Sequence, residues 1–358
     1  MRFWPILGLM LLGLTARIAV QGRYPLQDWP DGLAHLTYIL SVAETGKLPT
    51  IAAPMSSKEF TYESIQPPLY HVSAAALVRL GRLAGLEIPG MFWLLRGFSI
   101  ALWLGGCLLL WRACARFMLG FKAQLAAIAL YCLLPGWIWI SAVITNDTMI
   151  AFWGCLLLYL TSRTTLSVWA IAVICTAAVL TKLSGIFLVL VPVTLFAYRR
   201  EWWRAAVVGA AALAGFGLMA ARNLTFFGSI RGQEAVTVVV HQSFIGLLRQ
   251  YGQTFVLSWN QDRFSWSEWY LMWPAIVAGA AFLVWLWPQV VRLYGSARLL
   301  VVALAGACMF LLISAAVINQ GLEFGRAQGR LGYVALPALC FYLAAGVQAI
   351  ARRQTCEY

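Results

Sequence analysis

Asp28, Asp31 and His35 bring acid–base chemistry into one short stretch directly after the first long apolar run of the chain. Asp31 and His35 are four apart, which places them on one face of a helix, with Asp28 about a turn earlier. A carboxylate so placed suits a general base toward a hydroxyl, and the group also suits part of a metal site. Helix capping around Pro30 is the competing role for either aspartate.

The other polar residues that could touch a ligand stand at the ends of apolar runs. Asn146 and Asp147 open one such run, where each could cap a helix or bind substrate. Lys182, in LTKLSGIF, joins two runs. A lysine there either snorkels to the membrane surface or meets a phosphate. Arg222, in AARNLTFFGS, and Arg326 with Arg330, in GRAQGRLGY, also sit at run ends. A guanidinium can hold a phosphate with two parallel hydrogen bonds, and anchoring at the head groups is its ordinary alternative. His71 and His241 read first as interface histidines.

These residues must be positioned by a membrane protein. Hydrophobic residues make up 62% of the 358-residue chain and charged residues only 11%, with a mean hydropathy of +0.79, whereas a soluble domain carries roughly 25% charge. The net charge of +13 is scattered between apolar runs rather than drawn into one stripe. That distribution argues for positive-inside topology and against nucleic-acid binding. The eight cysteines form no CxxC pair, and most lie within apolar runs, so no disulfide framework or thiolate metal site is expected.

The expected fold is all-α and polytopic, a single membrane domain over 1–358 with about ten transmembrane helices. The first, 3–20, reads as an uncleaved span; the others lie near 91–111, 123–143, 147–162, 166–180, 183–198, 205–221, 271–288, 299–317 and 331–350. Segment 67–84, with Pro67–Pro68 at its start and Arg79 and Arg82 near its end, is expected to lie in the interface. With that choice and a cytoplasmic N-terminus, every short basic connection falls inside, while Asp28, Asp31, His35, Glu63, Asn146, Asp147, Lys182, Arg222, Arg326 and Arg330 fall outside together. A crossing at 67–84 would break both patterns.

Two long external loops follow, 21–90 and 222–270. In the first, Leu33, Leu36, Leu40 and Ala43 recur at helical spacing, with Asp31, His35 and Tyr38 on another face, so a surface-lying amphipathic helix is expected. The second holds a similar stretch, HQSFIGLLRQYGQTFVL, and an aromatic belt of Trp266, Trp269, Tyr270 and Trp273.

An ordered series of motifs spans nearly the whole chain: Pro-Asp-x-x-x-His from Pro30 with ETGKLP after it, QPPLYH from Gln66, NDTMIAFWGCLLLYL from Asn146, LTKLSG from Leu180, RNLTFFGS from Arg222 and QGRLGYVALPAL from Gln328. In this order the series resembles the GT-C class of membrane glycosyltransferases, which includes protein O-mannosyltransferases and aminoarabinose lipid A transferases. The resemblance implies a GT-C-like fold with external interface helices. It also implies inverting transfer of a sugar from a polyprenyl-phosphate carrier to a lipid, glycan or protein acceptor, at the periplasmic side of a bacterial inner membrane. Asp31 maps onto the base of the first external loop, with Asp28 and His35 beside it, and Lys182, Arg222, Arg326 and Arg330 onto the cations that receive the carrier phosphate. Asn146, Asp147, Gln66, Tyr70 and Gln328 are expected to bind substrate. A divalent metal ion is a further expectation, with Asp28, Asp31, Glu63 and His241 as candidate ligands.

The chain departs from the class at two points. Gly32 follows Asp31 where relatives commonly have Glu, and Ile65 stands where many have an acidic residue two positions before the Pro-Pro pair. Either Asp28 and Glu63 substitute there or the metal site is absent. The chain is also short for the class, so acceptor recognition is expected from the loops 21–90 and 222–270. A transporter or flippase of lipid-linked sugars, or a non-catalytic binder of them, would show phosphate-facing cations too. No inverted repeat supports transport, and only the enzyme needs Asp31.

Overall fold

The computed structural model describes residues 3–23, 31–51, 61–163, 165, 167–232, 243–256, 284–288, 290–291, 297–324 and 329–356. Every regular element among them is helical. The helices are α1 (Phe3–Arg23), α2 (Gly32–Thr45), α3 (Leu69–Leu83), α4 (Ile88–Arg116), α5 (Phe121–Leu133), α6 (Pro135–Ser141), α7 (Asn146–Thr161), α8 (Val168–Thr181), α9 (Leu190–Tyr198), α10 (Trp202–Phe227), α11 (Phe244–Val256), α12 (Ala297–Phe324) and α13 (Leu336–Cys356). Short 3-10 segments at Tyr62–Ile65, Leu183–Val189 and Gly329–Ala335 lead into α3, α9 and α13.

Among the described residues, five stretches are long and apolar enough to cross a membrane: Phe3–Arg23, Ile88–Arg116, Trp202–Phe227, Ala297–Gln320 and Leu331–Arg352. The pair α5 and α6 makes a sixth if counted as one span, bent by 59°. Pro135 explains the bend, since it supplies no N–H to the helical ladder and its ring crowds the preceding turn. Arg17 of α1 reaches the break: fully buried, it donates to the Cys132 carbonyl (3.0 Å) and to Ser141 Oγ (2.7 Å), with its guanidinium 3.8 Å from the Trp103 ring centroid. An arginine inside an apolar layer is costly, and here carbonyls, a hydroxyl and an aromatic face offset that cost.

Apart from 271–288, which lies largely outside the described residues, each expected span has a helix in its place. Several are shorter than a full crossing: α7 has 16 residues, α8 has 14 and α9 has 9, the last preceded by a 3-10 segment. The apolar runs are interrupted by local breaks, at Pro135 and after Thr181, which is why runs of hydropathy overstate straight spans. The bundle is held by α4 lying along α7, α8 along α10, and α13 along both α5 and α12.

The first loop contains two helices. α3 has 15 residues, about 22 Å at 1.5 Å per residue, which is short of a roughly 30 Å hydrocarbon core. α2 packs on α3, and α3 on α4, around a second core of Leu36, Tyr38, Ile39, Tyr70, Ala74 and Val78. The α2 helix expected to lie along a surface is therefore covered on its polar face as well, and His35 and Tyr38 are each 2% exposed. Gly46 ends α2 with φ +68, a left-handed turn that bonds its N–H back to Val42. In the second loop, α10 runs past Arg222 to Phe227. The expected amphipathic stretch forms α11, which turns Leu247, Tyr251 and Phe255 inward at helical spacing. The Trp266–Trp273 belt lies outside the described residues.

Candidate functional site

Two groups of polar side chains meet on either side of the 3-10 turn Tyr62–Ile65. The first belongs to α2 and α3. Asp31 occupies the N-cap position of α2 with φ 56 and makes no capping hydrogen bond, so capping does not account for its side chain. The Tyr62 hydroxyl donates to Asp31 Oδ1 at 2.9 Å instead. One turn on, His35 Nδ1 lies 3.0 Å from His71 Nε2 and 3.7 Å from Glu63 Oε2. His71 Nδ1 lies 3.4 Å from the Pro67 carbonyl, which can only accept. That contact assigns the proton to Nδ1 and leaves Nε2 as acceptor for His35. The Tyr38 ring stacks on His71 at 3.9 Å between centroids. Burial holds the His71 imidazole well below the usual histidine range, and the neighbouring His35 adds to this. Burial likewise pushes the Tyr38 phenol up to about 12; Arg222 opposes that shift and Glu63 adds to it.

The second group forms where α8 breaks. The helix stops at Thr181, Lys182 is extended (φ −158, ψ 136), and the 3-10 segment begins at Leu183. Gly185 permits this: a Cβ there would stand 2.4 Å from the Ala178 carbonyl oxygen. The break aims Lys182 at the start of α7, where its ammonium donates to Asp147 Oδ1 at 2.5 Å, and both side chains are buried. Lys182 therefore does not snorkel. The cap of α7 is Thr145, whose hydroxyl oxygen accepts from the Asp147 N–H at 3.3 Å. Neither Asn146 nor Asp147 is needed as an N-cap, and Asn146 Nδ2 donates to the Thr181 carbonyl at 3.4 Å, tying α7 to the break.

A cavity of about 420 Å³ opens beside Lys182. Its polar lining is Gln66, Lys182, Ser184, Arg231 and Gln320, and apolar side chains such as Phe187, Phe216, Ile313 and Val317 make up the walls. Ser184 Oγ is buried and has no hydrogen-bond partner among the described residues. Two cations, Lys182 and Arg231, in the lining of a largely apolar chamber suit a ligand with an anionic head and a hydrocarbon tail. Arg222 reaches the 3-10 turn beside the first group, donating to the carbonyls of Pro49 (2.7 Å) and Ser64 (3.0 Å). Tyr70 is fully buried beneath the cluster, edge-on to His35 and His71.

Of the residues singled out in the sequence, Asp31, His35 and Glu63 thus come together around α2, Asn146, Asp147 and Lys182 at the α7–α8 break, and Gln66 and Lys182 in the cavity wall. Arg330 is the second residue of the 3-10 segment Gly329–Ala335 that precedes α13. Asp28, His241, Arg326 and Gln328 lie outside the described residues. For a metal, no three His, Cys, Asp or Glu side chains among the described residues are grouped as ligands. Sequence reasoning passed over Tyr62, Ser184, Arg231 and Gln320 and undervalued His71. Ser184 lay inside LTKLSG and Gln320 near the end of an apolar run, so those two carried a signal; Tyr62 and Arg231 carried none apart from the folded chain.

No family model and no curated protein matches the chain. Among solved structures it is similar to ArnT from Cupriavidus metallidurans, in a crystal structure bound to undecaprenyl phosphate, with TM-score 0.54 and 19% identity. The match covers 97% of this chain and 60% of that one. The likeness shows a shared fold and supports the GT-C-like architecture expected from the motifs.

Proposed function

We propose that the chain is a membrane glycosyltransferase that takes a sugar from a polyprenyl-phosphate donor at the external face and transfers it with inversion to an acceptor hydroxyl. The observation that carries this reading is the cavity: a buried, carboxylate-anchored ammonium in the wall of a chamber lined mainly by apolar side chains. The undecaprenyl phosphate bound to the ArnT of shared fold supports the same ligand class.

The donor phosphate sits against Lys182 and Ser184, with Arg231 on the cavity wall, and the first isoprene units lie along Phe187 and Phe216. Asp31 accepts the proton of the acceptor hydroxyl as the acceptor oxygen bonds to the anomeric carbon. The bond from that carbon to the phosphate oxygen breaks, and its electron pair leaves with the carrier phosphate. Lys182 stabilises the charge gathered there, and being already fixed by Asp147 it needs little reorganisation. Attack opposite the departing phosphate inverts the anomeric centre.

The test is deletion of the chain from its native cell, with mass spectrometry of envelope lipids, glycans and glycoproteins, and complementation by wild type and by Asp31→Asn. A product lighter by one sugar, restored by wild type and not by Asp31→Asn, is expected. Restoration by both would move the base from Asp31 to Asp28, and restoration by the double variant Asp28→Asn with Asp31→Asn as well would remove the catalytic reading.

A further inference from the structure

The hairpin of α7 and α8 has two ends. At one, Lys182 meets Asp147. At the other, about 21 Å away along α7 at about 1.5 Å per residue, α7 stops at Thr161 and α8 starts at Val168. A second cavity, of about 300 Å³, opens at this far end. Arg163, Thr165 and Ser167 supply its polar lining, and Leu160, Ala170 and Ile171 the rest. The Ser167 oxygen caps α8 by accepting from the Ala170 N–H at 3.3 Å, which leaves the hydroxyl proton to donate.

Other arginines come to the same place from separate elements. Arg298, the second residue of α12, donates to the carbonyls of Thr161 and Arg163 and so closes the end of α7. Arg199, at the end of α9, lies within electrostatic reach of Arg298, and Arg116, at the end of α4, stands 5.2 Å from the Tyr159 ring centroid. Glu201, the acid near Arg199, is engaged by Arg204 at 3.0 Å. A positive-inside preference accounts for basic ends of spans, but not for a cavity with hydroxyls set among them. The surroundings point to the anion that fits. Trp169 and Val173, one turn apart on α8 beside the lining residue Ala170, are exposed, as are Tyr198, Trp202 and Trp203 near Arg199. Exposed aromatic residues at helix ends mark the depth of lipid head groups. The cavity opens at that depth, with an apolar strip leading from it along α8.

We propose that this cavity binds the phosphate of an anionic phospholipid, with the head group against Arg163, Thr165 and Ser167 and an acyl chain along Trp169 and Val173. Basic pockets between helices at a membrane face take such head groups, and a guanidinium with hydroxyls supplies matched donors to phosphate oxygens. The site stands at the opposite end of the hairpin from the Lys182 cavity, so its occupant is a resident lipid and not the donor.

The experiment titrates the full chain in neutral detergent with phosphatidylglycerol, against phosphatidylcholine as reference, and reads bound lipid by native mass spectrometry. Wild type should prefer phosphatidylglycerol by about five-fold or more, the contribution of one basic residue at a membrane face. Arg163→Gln removes a charge, whereas Ala170→Trp keeps every charge and fills the cavity. Each should cut the preference to about two-fold or less. Arg163 is exposed and Ala170 partly so, and both variants should keep the wild-type melting temperature. Lys182→Met combined with Asp147→Leu should leave the preference as it is. A preference that survives Ala170→Trp would overturn the site in favour of diffuse attraction to the basic end. One that is lost only in the Lys182 and Asp147 double variant would place the lipid in the other cavity. Displacement of phosphatidylglycerol by an equal concentration of glycerol 3-phosphate would overturn the lipid assignment in favour of a soluble phosphate.

Discussion

Lys182 Nζ and Asp147 Oδ1 are 2.5 Å apart and buried where the end of α8 meets the start of α7. Removing one member of such a pair leaves the other charge without compensation, at a cost of about 3–5 kcal/mol. Lys182→Ala should therefore lower the melting temperature sharply, and Lys182→Met combined with Asp147→Leu should recover much of it. The recovered double variant should still bind undecaprenyl phosphate at least about ten-fold more weakly, because the cation is gone. Calorimetry with a lipid-binding titration checks both, and unimpaired binding in the double variant would take Lys182 out of the site.

Asp31→Asn should abolish transfer while leaving the fold and lipid-phosphate binding within a few-fold of wild type. Loss of a general base costs roughly 10²- to 10⁴-fold, about 3–5 kcal/mol in barrier. Asn keeps an oxygen for the Tyr62 hydroxyl, so a collapse of melting temperature is not expected. Near-normal turnover on membranes carrying the variant would move the assignment to Asp28.

His71 is buried in the neutral form, and its Nε2 accepts from His35. Its folded pKa lies below the unfolded value of about 6.5, so the unfolded chain binds the extra proton first. The stability from this group is thus present above about pH 6.5 and is lost as the pH falls through and below that value. Melting temperature measured from pH 8 to pH 5 should decline, and His71→Gln should start lower and decline less. A wild-type profile that is flat or rises toward acid would contradict the neutral assignment.

Gly185→Ala should damage the lipid-phosphate site without touching a charged residue. Its Cβ would press 2.4 Å from the Ala178 carbonyl oxygen, a backbone atom that cannot step aside. The break must open, which shifts Lys182 from Asp147 and costs about 1–3 kcal/mol by overpacking. A fall in both melting temperature and undecaprenyl-phosphate affinity is expected, and unchanged affinity would show that the break does not set the position of the ammonium.

Topology is tested by labelling single cysteines in a cysteine-free background with an impermeant maleimide on intact cells. Trp202→Cys, beside the basic Arg199–Arg204 connection, should be protected, and Ser229→Cys, beyond the far end of α10, should react. Labelling at 202 would invert the arrangement and with it the external placement of the site.

Much of this protein follows from the sequence alone, because hydropathy and helical period are local properties. Apolar runs separated by basic connections dictate a helical membrane protein, and among the described residues helices stand where those runs do. The spacing of Leu33, Leu36, Leu40 and Ala43 was enough to give α2, and the motif order was enough to anticipate the fold that this chain shares with ArnT. The pairings were decided elsewhere. Whether Lys182 snorkels or is buried depends on a break in α8, allowed by a glycine three residues on, and on a carboxylate 35 residues earlier in the chain. Whether Asp31 caps a helix or is held by a phenol depends on a turn 31 residues away. A burial penalty and an ion pair are properties of three-dimensional neighbours, and no period or composition records them. Only the folded chain could set Tyr62 against Asp31 and Asp147 against Lys182, because each partnership is an exchange of water for a group that the sequence places far away.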